Sequence, residues 1–266
     1  MEKFYISADM EGTCGIVDWQ EIELEEKLGD YFKKQMTKEV AAACEALGKS
    51  GVKDILVKDA HDTGRSMDPS LFPRNTKILR AWPHDPYSMM GGLDPSFQGV
   101  GFIGYHSGAG TDGNPLSHTY NTKTFEVTIN GMLVSEFVIN AYTAASLGIP
   151  VYFLSGDKAL CESAKAIAPN IKTMATSEGI GAGSISIHPE LALERIGVMV
   201  REALEVDPAK MKLALPDRFD FSVTFKKHEL AHRASFFPGA KKTGAYKVNI
   251  LCKDWIDVLV FIQFTF

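Results

Sequence analysis

Short apolar runs recur along this chain with amphipathic stretches between them. Runs at 4–8, 54–60, 77–81, 98–105 and 150–155 have strand length, and helical patterns separate them. The clearest helix covers about 36–48, where Met36, Val40, Cys44 and Leu47 repeat at helical spacing and Gly51 follows as a stop. Strand alternating with helix predicts a mainly parallel sheet with helices on both faces, a three-layer α/β fold. Phe125 to Ile129 followed by Asn130-Gly131 predicts a hairpin, because that dipeptide suits positive φ at both central positions, and a second strand then leads to Glu136. Leu160, Ala164 and Ile167 form a helix ending at Pro169, and Leu193, Ile196, Val200 and Leu204 form another. From about 208 the order becomes strand (219–225), short helix, strand (246–252) and helix (254–265). The expected organisation is an α/β domain over 1–207 and a smaller α+β portion over 208–266.

Composition narrows the function classes. The 266 residues, 45% of them hydrophobic, are enough for one large core, and the formal net charge of -5 argues against general nucleic-acid binding, which needs a basic face. The chain enters a strand after three residues, leaving no room for a signal peptide, and no apolar run reaches membrane-spanning length. The cytoplasm is therefore the expected location. Cys14, Cys44, Cys161 and Cys252 are scattered with no C-x-x-C pair and read as free thiols; Cys14 lies close to the acidic pair, where a reactive thiol is the alternative to the expected small buried hydrophobe.

Candidate chemistry begins at the end of the first strand. In Ser7-Ala8-Asp9-Met10-Glu11-Gly12, the strand period of two sends Asp9 and Glu11 the same way, and Gly12 lets the chain turn just after them. Two carboxylates aimed at one point need a cation or a shared proton, so the pair suggests a metal site or an acid/base pair. His61 lies just past the strand ending in Lys58-Asp59-Ala60, and His106 takes the corresponding place after Val100 to Tyr105. Open α/β sheets bind their ligands at such strand ends, so the two histidines and two carboxylates converge if these strands are neighbours. Imidazole with carboxylate suits zinc or a similar divalent ion, and four or five such ligands could hold two metals sharing a carboxylate. His118 follows in the loop Asp112 to Thr119 and is a candidate proton donor or oxyanion stabiliser. Glu136, the sole acidic residue between Val127 and Ala145, sits on an apolar stretch where a carboxylate needs a partner.

Asp9-Met10-Glu11-Gly12, Asp59-Ala60-His61, Gly104-Tyr105-His106, Ser117-His118 and Glu136 with Asn140-Ala141-Tyr142 resemble, in order and approximate spacing, the zinc-dependent D-aminopeptidase family associated with bacterial dipeptide-transport operons. The resemblance runs through nearly the whole chain, including Pro238-Gly239 and Lys242-Thr243-Gly244. It implies two zinc ions per subunit, with Asp9 bridging them, Glu11 and His61 completing one site, His106 and Glu136 the other, and His118 as the catalytic histidine. It further implies short peptide substrates bearing an N-terminal D-amino acid and a homo-oligomeric ring with internal active sites. One segment departs from the family: Thr176 to Gly183 carries Glu178 and no basic residue where members tend to carry basic ones. Its Gly-x-Gly-x-Gly spacing fails the dinucleotide fingerprint, and a flexible loop beside the site is expected there.

A rival motif is His228-Glu229-Leu230-Ala231-His232, which matches the H-E-x-x-H of zincin proteases. The preceding Phe221 to Phe225 alternate like a strand, so little helix precedes His228, and no His or Glu follows His232 to serve as a third ligand. Exposed polar residues on a short helix are the expectation. A different dinuclear hydrolase, acting as an amidase or on a phosphoester, and a non-catalytic peptide-binding module are the alternatives to the aminopeptidase.

Overall fold

The structure, a computed structural model, describes residues 1–23 and 29–266. In chain order the elements are β1 (Lys3–Ala8), α1 (Gly29–Lys49), β2 (Asp54–Asp59), β3 (Thr76–Leu79), β4 (Val100–Tyr105), β5 (Thr124–Ile129), β6 (Met132–Leu133), α2 (Glu136–Ser146), β7 (Val151–Asp157), α3 (Lys158–Ala164), β8 (Lys172–Ile180), β9 (Gly183–Ser186), α4 (Pro189–Leu204), β10 (Phe219–Phe225), α5 (His228–Ala234), β11 (Lys241–Lys242), β12 (Lys247–Cys252) and α6 (Trp255–Thr265).

Seven strands form the main sheet in the order β3-β2-β1-β4-β7-β8-β9, all parallel except β9. The period of two in β1 divides the core: Phe4 and Ile6 pack on one face with Met36, Val40 and Leu47 of α1 and Ile196 and Val200 of α4. Tyr5 faces the other way, toward Phe137 and Ala141 of α2, and that face is sealed by the second sheet and α6. The second sheet runs β11-β12-β10-β5-β6 and is antiparallel, so it draws strands from both sides of residue 207. Asn130 and Gly131 hold φ of 51° and 80° in the tight turn between β5 and β6, as the dipeptide requires.

Two expectations are corrected. The strand expected to lead to Glu136 is only two residues long, and Glu136 instead opens α2. The apolar stretch is continuous because nine of the eleven residues of α2 are buried between sheets, and a carboxylate in a helix's first turn is favoured by the free amides there. Thr176 to Gly183 is not a flexible loop but belongs to the antiparallel β8–β9 pair, turning at Gly181 with φ 57°. Small polar residues hid a strand whose stability comes from backbone pairing with β7 and from Thr176, whose hydroxyl donates to the carbonyls of Gly12 (2.6 Å) and Gly156 (2.9 Å).

Candidate active site

The chain leaves β1 to build β2 on one side and β4 on the other, so the strand order reverses at β1 and the carboxyl ends of three strands meet there. Ala8 lies opposite Asp59 on one side and Ile103 on the other. Beyond the sheet the approach tightens: Asp9 N donates to Ile103 O at 2.9 Å and Gly12 N to Gly104 O at 2.8 Å. A Cβ at Gly12 would collide with the Tyr105 carbonyl, and Gly104, at φ 74°, lies so close to the Asp9 carbonyl that a side chain there would collide with it. This contact of two backbones is what brings Asp9 and Glu11 against His106.

All five predicted ligands are buried, with exposures of 1 to 4%. Asp9 faces a histidine with each oxygen: Oδ1 is 3.5 Å from His61 Nδ1, and Oδ2 is 3.5 Å from His106 Nε2. Glu11 Oε2 is 3.1 Å from the same His61 nitrogen, and Glu136 Oε2 is 3.4 Å from the same His106 nitrogen. Two ligand groups therefore share Asp9, one with Glu11 and His61 and one with His106 and Glu136. His118 Nε2 stands 3.6 Å from Glu136 Oε1 and 3.9 Å from Glu11 Oε1, and its ring stacks on His106 with centroids 4.3 Å apart.

The ring orientations show what these atoms await. His61 Nε2 lies 3.1 Å from Ile22 O, His106 Nδ1 2.9 Å from Ser107 O and His118 Nδ1 2.9 Å from Leu116 O. Each backbone carbonyl accepts one ring N–H, which in the neutral ring leaves the opposite nitrogen as a lone pair aimed into the cluster. Asp9 Oδ2 and His106 Nε2 are buried without a hydrogen-bond partner. Converging carboxylates, an unpartnered Asp9 oxygen and an unpartnered His106 nitrogen fit divalent cations of the zinc class, since N and O donors of this kind and number suit them. Without a cation the charges strain one another. Burial and the neighbouring Glu11 push Asp9 well above the usual carboxylate range. Burial pushes Glu11 up too, but His61, with His106 and His118, outweighs it and holds that carboxyl well below its ordinary value. Burial likewise depresses His61 and His106, yet their carboxylate neighbours carry both well above the usual imidazole value. His118 is lowered, by burial first and then by His106.

Outer contacts fix the ligands. Asp157, at the end of β7, accepts from Ser107 N and Ser107 Oγ, both at 2.6 Å, and Ser107 supplies the carbonyl that orients His106. Tyr120 N donates to Glu136 Oε1 at 2.7 Å. Asn114 Nδ2 donates to Glu11 O at 3.2 Å, and Gly179 N of β8 donates to Gly113 O at 3.2 Å, so β8 braces the His118 loop. The cluster opens into a cavity of about 440 Å³ lined also by Trp19, Glu23, Asp62, Trp82, Met89 and Tyr120. The sequence reading missed these, although two of the chain's three tryptophans facing one cavity is a signal that composition alone could not place. The rival motif lies elsewhere: His228, Glu229 and His232 are exposed on the seven-residue α5, and among the described residues no candidate metal group includes them. The cysteines are buried and free, and burial pushes the Cys14 thiol up to about 12. No helix among the described residues is long and apolar enough to cross a membrane.

Comparison with known proteins points to a peptidase family. The model of a peptidase family, M55, described as D-aminopeptidase, matches residues 2–264. A D-aminopeptidase of Bacillus subtilis (strain 168) is 30% identical over 258 residues, which cover 96% of this chain and 93% of that protein. Among solved structures, the Zn-dependent D-aminopeptidase DppA from Bacillus subtilis, described as a self-compartmentalizing protease, matches with a TM-score of 0.90 and 27% identity, over 98% of this chain and 95% of that one.

Proposed function

This chain belongs to the D-aminopeptidase family of peptidases, and from that premise we propose that it removes N-terminal D-amino acids from short peptides at a dinuclear zinc site. The observation that carries the reading is Asp9, whose two oxygens face histidines that follow two different strands. Asp9, Glu11 and His61 would hold one ion, and Asp9, His106 and Glu136 the other. Bound zinc supplies Lewis acidity, which acidifies water and polarises the scissile carbonyl. His118 supplies proton transfer: its Nδ1 is engaged by Leu116 O, its lowered pKa keeps Nε2 unprotonated near neutrality, and Nε2 faces the cluster. That nitrogen takes a proton from the attacking water and returns it to the departing amine. Trp19, packed edge-on against His118 at 5.4 Å, limits the ring's freedom to turn away. The self-compartmentalizing character of the DppA relative supports a closed homo-oligomeric ring here, with only short peptides reaching the site.

The test is zinc per chain by elemental analysis alongside turnover of D-alanyl and L-alanyl dipeptides. Wild type should carry about two zinc ions, Asp9→Ala should lose them, and His118→Ala should keep them while losing turnover, with the D-alanyl peptide preferred. One observation favours a second role for His118, since it also groups with Glu11 and His106 as a candidate ligand. Loss of zinc in His118→Ala would assign it that role, and hydrolysis of neither peptide by zinc-loaded protein would refute the aminopeptidase.

A further inference from the structure

Backbone strain among the described residues gathers around the cavity. Among the described residues six that are not glycine take φ in the left-handed region: Asp62 (47°), Ala81 (59°), His84 (63°), Ser88 (50°), Tyr120 (61°) and Asn130 (51°). Asn130 is accounted for by its hairpin. Asp62, Ser88 and Tyr120 line the cavity, and Ala81 and His84 flank Trp82, which lines it too. Such conformations persist only where the surroundings over-determine them, and they cluster at ligand clamps.

The residue that holds the 81–82 segment is Lys58 of β2. Its side chain is fully buried, its ammonium donates to the carbonyls of Ala81 (2.9 Å) and Asp59, and it stands 4.0 Å from the centroid of the Trp82 ring. The far end of the indole is held as well, by Nε1 donating to Asp62 O at 2.8 Å. Lys58 does not line the cavity whereas Trp82 does, so the ammonium backs the indole and the ring meets the cavity. Burial draws the Lys58 pKa down to about 8 against the pull of Asp59 and Asp85, a cost that an apolar side chain at this strand position would not carry. What the lysine contributes in return is the orientation of the 81 carbonyl and of Trp82.

We propose that Trp82, pinned from behind by Lys58, is the specificity-determining wall of the subsite for the substrate's N-terminal side chain, and that this subsite selects flat aromatic side chains over small or cationic ones. The inference rests on the peptidase reading of the same site. Trp82 is tied through Asp62 O to the residue beside His61, whereas Trp19 packs against His118, the proton donor to the departing amine, so the substrate's first side chain lies toward Trp82 and the departing portion toward Trp19. An indole already bearing a cation on one face attracts a second cation weakly on the other, but accepts an aromatic ring in offset stacking. Met89 adds a polarisable sulfur beside it, held by Asn140 Nδ2 donating to Sδ at 3.4 Å. Lys58 is a positioning residue, acting only through Trp82.

The test compares zinc-loaded wild type, Trp82→Ala, Trp82→Phe and Lys58→Met on dipeptides with a phenylalanyl, alanyl or lysyl first residue of matched chirality. Calorimetric binding of free D-phenylalanine and D-alanine accompanies it, because that readout needs no turnover. Wild type should favour the phenylalanyl peptide at least tenfold in kcat/KM over both others. Trp82→Ala should shrink that ratio about tenfold, chiefly through KM, Trp82→Phe should recover part of it, and Lys58→Met should shrink it in the same direction with zinc content retained. An unchanged ratio in Trp82→Ala, a wild-type preference for lysyl or alanyl, or selectivity that appears only at the second residue would overturn the proposal. Should no peptide be hydrolysed while D-phenylalanine still binds more tightly than D-alanine in a Trp82-dependent way, the peptidase reading fails and the subsite stands.

Discussion

Replacing Glu39 by glutamine should abolish the pH dependence that this one carboxyl imposes on stability. Glu39 lies in the interior of α1 with no exposure, and its Oε1 accepts from Cys14 N and from Gln35 Nε2, both at 3.0 Å, while Oε2 has no partner. It thus ties the loop carrying Asp9 and Glu11 to the helix behind it. Burial, only partly offset by those two hydrogen bonds, raises its pKa from 4.5 to about 7. The folded protein therefore holds a proton that the unfolded chain releases above 4.5, and stability falls as pH rises from about 4.5 to about 7, then stays level with respect to this group. At about 1.4 kcal/mol per pH unit, the loss amounts to about 3 kcal/mol. Glutamine keeps an acceptor for Cys14 and Gln35 and cannot ionise, so the difference in stability between Glu39→Gln and wild type should move by that amount in favour of the variant between pH 4.5 and 7.5. Urea unfolding of both proteins at fixed protein and zinc concentration measures it, and comparing the difference across pH cancels packing changes and the titration of the shared site. Parallel curves, agreeing within about 0.5 kcal/mol across the range, would refute the reasoning and mean that Glu39 titrates as an ordinary carboxyl.

Three further outcomes follow from the geometry. Gly12→Ala should destabilise the fold by about 3 kcal/mol or more and reduce bound zinc, because its Cβ has no room beside the Tyr105 carbonyl; a thermal midpoint and zinc content equal to wild type would contradict this. Asp157→Asn removes an acceptor from the Ser107 clamp, and zinc affinity measured by chelator competition should fall about tenfold or more while the fold survives; wild-type affinity would show that the clamp does not orient His106. His228→Ala should leave zinc content and turnover at wild-type levels, since α5 presents that side chain to solvent, and loss of zinc there would reopen the H-E-x-x-H motif.

The sequence by itself determined the alternation of strand and helix, the hairpin at Asn130-Gly131, and the residues with metal-binding chemistry, because each rests on local periodicity or on a side chain's own donors. Asp9 and Glu11 share a strand and could be paired from spacing alone, whereas His61 and His106 could be joined to them only once β2 and β4 flanked β1. Glu136 was legible as a carboxylate in apolar surroundings but not as the first residue of a helix, since a helix buried on nearly all sides loses the amphipathic period that would announce it. The β8–β9 pair was hidden for a related reason: its strands are specified by backbone hydrogen bonds to neighbours far along the chain, not by side chains of strand type. Only tertiary structure decided that Lys58 backs Trp82, that Asp157 reaches His106 through Ser107, and that strained residues line one cavity, because each of these depends on which distant segments the sheet brings within contact.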